Sequence, residues 1–158
     1  SNLEYTVGCF CDKAGDLKGT IVLRRDLLAG TTYRAWVEEQ PEVRREAERI
    51  VRELRPLGPC NVQLRLTPRG AVCFEINPRF SGTTPLRAAL GFNEVDVFLR
   101  HFVLGREVCL PCITEGMALR YWNELYVDPI ARHQLAETGE LSREHRGKSY
   151  VENYGMKL

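Results

Sequence analysis

A chain of 158 residues with 44% hydrophobic content and 9% aromatics is long enough for one ordinary core and has the composition of a soluble globular domain. With 22 basic against 21 acidic residues the net charge is +1, so no global field favours nucleic acid or a membrane surface as a partner. No apolar run approaches the roughly 18 to 20 residues that span a bilayer, and nothing at the amino end has the layout of a signal peptide, which makes the cytoplasm the expected compartment. Ser1-Asn2 reads as a cloning remnant ahead of an immediate strand pattern, and the expectation is a piece excised from a longer protein.

Leu3, Tyr5, Val7, Cys9 and Cys11 alternate with Glu4, Thr6 and Gly8, turn chemistry follows at residues 12–15, and residues 19–23 are apolar again. That pattern predicts a hairpin. A further β-rich run over residues 31–37 follows Ala29-Gly30, giving three antiparallel strands. From Pro41 the period changes. Val43, Ala47, Ile50, Val51 and Leu54 recur at helical spacing, Glu42 lies in the first turn, and Pro56 with Gly58 closes an amphipathic helix. Residues 61–66, a turn at 68–70 and residues 71–76 predict a second hairpin, followed by a Pro, Ser, Gly and Thr loop over 77–84. A short helix over residues 85–90 ends at Gly91, and Asn93 is suited to cap a helix carrying Val95, Phe98, Leu99, Phe102 and Val103. Residues 117–127 have strand composition, Asp128-Pro129 starts a helix to about Leu135, and residues 138–150 are polar and expected to be mobile. The fold class is α+β, an antiparallel sheet flanked by two main helices, with residues 128–158 as a helix and polar tail of the same unit as residues 3–127.

Six cysteines leave open a zinc site built from Cys9, Cys11, Cys109 and Cys112. The alternative is that they serve as small buried hydrophobes in a reducing compartment, a role that suits the apolar contexts of Cys60 and Cys73.

The chemistry is concentrated in the second hairpin. Glu75 and Asn77, two residues apart on one strand, share a face, and Gln63 on the neighbouring strand can face the same space. Three oxygen donors of this kind suit Mg²⁺, which nucleotide enzymes hold with one or two carboxylates together with phosphate oxygens and waters. Pro78 stiffens the exit, and Arg79 offers a planar fork of donors suited to phosphate. Strand, cation site and arginine together make a phosphoryl-transfer layout.

Asn61-Val62-Gln63 followed by Phe74-Glu75-Ile76-Asn77-Pro78-Arg79 resembles the "NVQ … EVNPR" pattern of the carbamoyl phosphate synthetase large subunit and its ATP-grasp relatives. The resemblance implies the C-terminal half of an ATP-grasp domain. It assigns Gln63, Glu75 and Asn77 to Mg²⁺ (or Mn²⁺) and to ATP, and it gives Arg79 the catalytic contact with phosphate or the acyl-phosphate intermediate. Residues 4–12 resemble the family strand whose first Glu touches the nucleotide ribose, which implies a cofactor contact for Glu4. Residues 90–105 match the helix after the loop, so the likeness covers roughly residues 3–105. Two departures stand out. Gly8 replaces a family Asp, and Gly82 stands where synthetases have an Arg that helps bind the acyl phosphate, so carbamoyl phosphate is not the expected product.

The loop Ser81, Gly82, Thr83 and Thr84 has hydroxyls and backbone N–H groups suited to a carboxylate or phosphate. Arg25 and Arg34 are candidates to meet an anionic substrate beside the loop at residues 29–34. The expectation is therefore an ATP-dependent carboxylate-amine ligase of the ATP-grasp kind, whose partners are a small carboxylate, an amine and the missing N-terminal ATP-grasp subdomain. No nucleic acid or membrane is expected, and a homodimer is left open. Without the opposing phosphate-clamping wall, the isolated chain should not turn over. The alternative from another class is a non-catalytic nucleotide-binding or assembly module that retains the fold.

Overall fold

The computed structural model describes residues 3–120, 124–126, 129–140 and 150–152. The chain divides into two compact units, Ser1–Arg120 and Tyr121–Leu158. The first is built on six strands in the order β5-β4-β1-β2-β3-β6, with every neighbouring pair antiparallel. The strands are β1 (Leu3–Cys11), β2 (Leu17–Leu28), β3 (Thr31–Val37), β4 (Gly58–Thr67), β5 (Gly70–Asn77) and β6 (Met117–Leu119). The two hairpins expected from the alternation are both present.

The central strand β1 is covered on both sides because its two sets of alternating side chains meet different partners. Tyr5, Val7, Cys9 and Cys11, with Val22, Cys60, Val62 and Leu64, pack against Val43, Ala47 and Val51 of helix α1 (Pro41–Leu54). Pro41 starts α1 where its missing N–H costs nothing, and left-handed Arg55 ends it with its N–H bonded to the Val51 carbonyl at 2.9 Å. Leu54 lies in that last turn, where the chain leaves the helix, and stays 57% exposed. On the opposite face Phe10, Ile21, Leu23 and Ala35 pack with Phe92 and Val97. These belong to the layer of α2 (Thr84–Ala89), α3 (Glu94–Phe98) and the segment between them.

Asn93 caps α3 by accepting from the Asp96 N–H at 3.1 Å, as its position predicts. The helix expected to continue as one run changes instead to a π-helical turn over Leu99–Val103, with the Leu104 N–H reaching the Leu99 carbonyl at 3.2 Å. The stacked rings of Phe98 and Phe102, 4.6 Å apart, lie across this change of winding. Residues 117–127, expected as one strand, split into β6 and β7 (Glu124–Tyr126). The second unit holds the β7 and β8 (Tyr150–Glu152) pair and helix α4 (Pro129–Thr138), which runs slightly past its expected end. Most of the polar stretch over residues 138–150 lies outside the described residues.

The placement of the cysteines removes the zinc alternative. Cys9 and Cys11 are fully buried in the α1-facing core, while Cys109 and Cys112 are exposed. Among the described residues no group of three or more His, Cys, Asp or Glu can hold a metal ion. Burial pushes the Cys11 and Cys60 thiols up to about 11 and raises Cys9 further, so these groups stay neutral and unreactive at neutral pH. A charged thiol reagent should label Cys109 and Cys112 in the native protein and reach Cys9, Cys11 and Cys60 only on unfolding, as read by mass spectrometry of the labelled peptides.

One polar cluster is built into the second core. Arg87 of α2 and Glu94 of α3 are 1% and 0% exposed at their side chains and lie 2.6 Å apart. The Arg87 guanidinium also donates to Asn61 Oδ1 at 2.8 Å and to the hydroxyls of Ser81 and Thr84 at 3.1 and 3.2 Å. Thr84 in turn donates to Glu94 Oε1 at 2.5 Å. The guanidinium fits against β1 because residue 8 is glycine: a Cβ there would lie 2.7 Å from Arg87 Cδ and Nε. Removing one partner of such a pair leaves a buried uncompensated charge. Glu94→Ala should therefore lower the unfolding free energy by about 3–5 kcal/mol, with Glu94→Gln milder because it keeps an acceptor, as measured by urea denaturation.

Candidate functional site

The polar end of the sheet lies on the same face as the Phe10 cluster. Directly opposed residues of an antiparallel pair share a face, so the registers Glu4 with Arg25, Glu4 with Arg65, Thr6 with Gln63 and Gly8 with Asn61 carry the set across three strands. Gln63 then pairs with Glu75, and Asn61 with Asn77. A β-bulge beyond Gln63 leaves Phe74 as the extra residue of β5 and stops the pairing from slipping there. Gln63, Glu75 and Asn77 thus share one side of the sheet, the arrangement that the sequence reading required.

Each of these oxygen donors already meets a hydrogen-bond donor. Gln63 Oε1 accepts from Arg25 Nη2 at 2.5 Å. Asn77 Oδ1 accepts from Arg79 Nη2 at 3.0 Å, and its amide nitrogen donates to Glu75 Oε1 at 2.7 Å. The amide oxygens of Gln63 and Asn77 are therefore turned towards positive charge. Glu75 is exposed and supplies one carboxylate, with Asn77 and Gln63 half-buried beside it. A donor set of one carboxylate and two amide oxygens suits a hard divalent cation that completes its shell with phosphate oxygens and waters.

Glu4 lies at the edge of this set, 14% exposed at its side chain. Arg25 donates to its Oε1 at 2.6 Å, and Arg65 approaches its Oε2 at 3.3 Å. Arg25 thereby bridges Glu4 and Gln63, and a third contact reaches Thr32 Oγ1 at 3.5 Å. Arg34 does not join it. That side chain leaves β3 on the side opposite Ala35 and pairs with Asp26 at 2.8 Å, with the Trp36 ring beside it.

A pocket of about 180 Å³ opens next to the donor set. Thr6, Arg25, Asn61 and Gln63 form its sheet wall, Gly30, Thr31 and Thr32 one side, and Arg79, Ser81, Gly82, Thr83 and Arg120 the other. The loop wall is held in shape: Ser81 Oγ is bonded to Thr83 Oγ1 at 2.8 Å and to Arg87, and the Ser81 N–H donates to Thr84 Oγ1 at 3.0 Å. Arg79 donates to the Phe80 carbonyl at 2.8 Å, and Arg120 donates to the Gly82 carbonyl.

Asn61, Thr6 and Arg120 were missed as pocket residues. The two-residue period counted back from Gln63 and forward from Glu4 identifies Asn61 and Thr6. Nothing in the sequence signals Arg120, whose place depends on β6 pairing with β3.

Three of the solved structures that share this fold show the likeness. They are the ATPase subunit of phosphoribosylaminoimidazole carboxylase from Aquifex aeolicus (TM-score 0.55, 15% identity, covering 80% of this chain and 40% of that one), N5-carboxyaminoimidazole ribonucleotide synthetase from Thermus thermophilus (0.57, 13%, 79% and 35%) and N5-carboxyaminoimidazole synthetase from Staphylococcus aureus (0.56, 11%, 79% and 34%). The chain spans less than half the length of each, and at these identities the likeness is one of fold. Among curated proteins none matches the sequence. Residues 1–125 match the family model described as ATP-grasp in the biosynthetic pathway with Ter operon, and the chain belongs to that ATP-grasp family.

Proposed function

We propose that this chain is the metal-binding half of an ATP-dependent ligase that activates a carboxylate as an acyl phosphate and joins it to an amine or a related nucleophile. The observation that carries this reading is the register that sets Gln63 opposite Glu75, with Asn77 two residues on, all facing the pocket side of the sheet. In the reaction, a carboxylate oxygen attacks the γ-phosphorus of ATP, the bond to the β-phosphate oxygen breaks, and ADP leaves with its electron pair. The amine lone pair then attacks the acyl carbon, phosphate departs, and the amine gives up a proton. Mg²⁺, or Mn²⁺, held by Gln63, Glu75 and Asn77, would neutralise phosphate charge during the transfer.

The chain's own groups do the positioning. Arg79, fixed by the Phe80 carbonyl and Asn77, keeps guanidinium N–H groups for the transferring phosphoryl group or the acyl phosphate. Glu4 is our candidate for the ribose hydroxyls, which would displace one of its two arginine partners. Ser81 to Thr83, braced from behind by Arg87, form the wall against which the carboxylate is held. The likeness of residues 61–79 to carbamoyl phosphate synthetase extends to these ligand positions, with Gly82 as the departure noted above. We further propose that the opposing nucleotide-binding wall comes from a separate ATP-grasp subdomain and that the chain alone does not turn over. The six free cysteines fit a reducing cytoplasm.

A second reading, a nucleotide-binding or assembly module without turnover, is favoured by Gly82 and by the engagement of Glu4 with Arg25 and Arg65. Two measurements decide between them. In a protein carrying this chain together with its nucleotide-binding subdomain, ADP release should depend on a carboxylic acid, and Glu75→Gln should lower kcat by about 100-fold. In the 158-residue chain, Mn²⁺ should broaden the amide NMR signals of Glu75 and Asn77, and Glu75→Gln should abolish the effect. An assembly inert towards a broad panel of carboxylates and amines would leave the module as the answer, and full ADP release by Glu75→Gln would overturn the metal role given to Glu75.

A further inference from the structure

We infer that the acid accepted by this pocket carries two anionic groups, one beside the Glu75 and Asn77 pair and the other held by Arg120 with Arg25. This rests on the ligase reading and names the substrate class that the site would take. The argument is a charge balance. Among the described residues three guanidinium groups line the pocket, from Arg25, Arg79 and Arg120, and no carboxylate does. Glu4 partners Arg25 from the edge, but it also serves Arg65. Arg79 and Arg120 meet backbone carbonyls, and in the case of Arg79 an amide oxygen, but no carboxylate among the described residues. Among the described residues four arginines thus face Glu4 and Glu75, and two positive charges are left over. The charge of the whole chain is only +1, so this excess is local. Mg²⁺ and its nucleotide do not offset it in this reading: the ion is met by nucleotide phosphates, the charge those keep is taken by the phosphate-clamping wall of the opposing subdomain, and Arg79 meets the reacting carboxylate together with the phosphoryl group it receives.

The fixed carbonyl contacts also matter. A guanidinium has five N–H donors in a planar fork, and tethering one edge to a carbonyl leaves the other edge oriented for a carboxylate or phosphate. Gly82 leaves room for such a group: a Cβ built there meets no atom within 4 Å, and the same holds for Gly30 across the pocket. An acid with one anionic group leaves a guanidinium without a counter-charge in a recess walled by protein. A second carboxylate or a phosphate makes charge-assisted hydrogen bonds there, which are the stronger class.

The test uses the 158-residue chain at fixed pH and ionic strength, with amide NMR shifts of Ser81, Gly82 and Thr83 as the readout. Acetate and glycolate are the probes with one anionic group, succinate the dicarboxylate, and phosphoglycolate the phosphorylated acid. Succinate or phosphoglycolate should saturate the site at least about tenfold more tightly than acetate or glycolate. Saturation by one of the two alone identifies the second group as carboxylate or phosphate. Arg120→Gln should remove the preference and Arg120→Lys, which keeps the charge, should retain most of it. Arg79→Gln provides a second variant away from the edge strand. Equal affinities for the two classes, no saturation by any probe, or an unchanged preference in both Arg120→Gln and Arg79→Gln would overturn the inference. Mn²⁺ broadening at Glu75 in the same samples separates the two claims. Broadening without the preference sinks the substrate class alone, and absence of both sinks the ligase reading with it.

Discussion

Strict alternation of side chains along β1 and β4 governs both faces of the six-stranded sheet. Odd positions of β1 from Tyr5 to Cys11 enter the core beneath α1, and the even positions Glu4 and Thr6 reach the polar face. On β4 the matching split sends Val62 and Leu64 inward and Asn61 and Gln63 to the other side. A slip of one residue in this pairing would bury Gln63 under α1 and expose Val62, so hydrophobic burial on one face enforces the placement of polar side chains on the other. The apolar core is thus what holds the register of β1 against β4 in place, and the bulge at Phe74 then brings Glu75 opposite Gln63.

The polar face is dominated by guanidinium groups used in two different ways. Arg87 is sealed inside, paired with Glu94 and spread over Asn61, Ser81 and Thr84, where its task is to join the α2 and α3 layer to the sheet. Arg25, Arg79 and Arg120 stand at the pocket surface. The two groups meet through Ser81 and Asn61, since both residues contact Arg87 from behind and line the pocket in front. A rigid buried network therefore backs a cationic recess, an arrangement that limits how far the loop wall can shift when a charged ligand enters.

Much of this was readable before any coordinates. Two-residue alternation named β1, apolar or β-rich runs bounded by turn residues named β2 to β5, the change to helical period at Pro41 named α1, and Asn93 marked the start of α3 through an ordinary capping bond. The shared face of Glu75 and Asn77 followed from their two-residue spacing, whereas Gln63 joins them through the bulge at Phe74, which the spacing did not show. What escaped was non-local. Arg87 and Glu94 lie on two short helices in different turns, and nothing in their surroundings marks either as buried, because charged residues on short polar helices ordinarily face solvent. Arg120 follows a three-residue strand whose partner lies more than 80 positions earlier, and β composition over residues 117–127 could not show that the run breaks in two. The π-helical turn after Phe98 was invisible for a related reason: apolar residues at helical spacing look the same in either winding.

The contact between Gly8 and Arg87 has an evolutionary corollary. The guanidinium lies within 2.8 Å of where a side chain at position 8 would begin, so the two sites share one volume and cannot vary independently. Descendants or cousins that put an acidic residue at position 8, as the synthetase-like strand pattern does, would need a shorter or differently angled cation at 87 and would have less need of Glu94 as its counter-ion. Positions 8, 87 and 94 should drift as a trio, and their joint state would sort members of this lineage into branches.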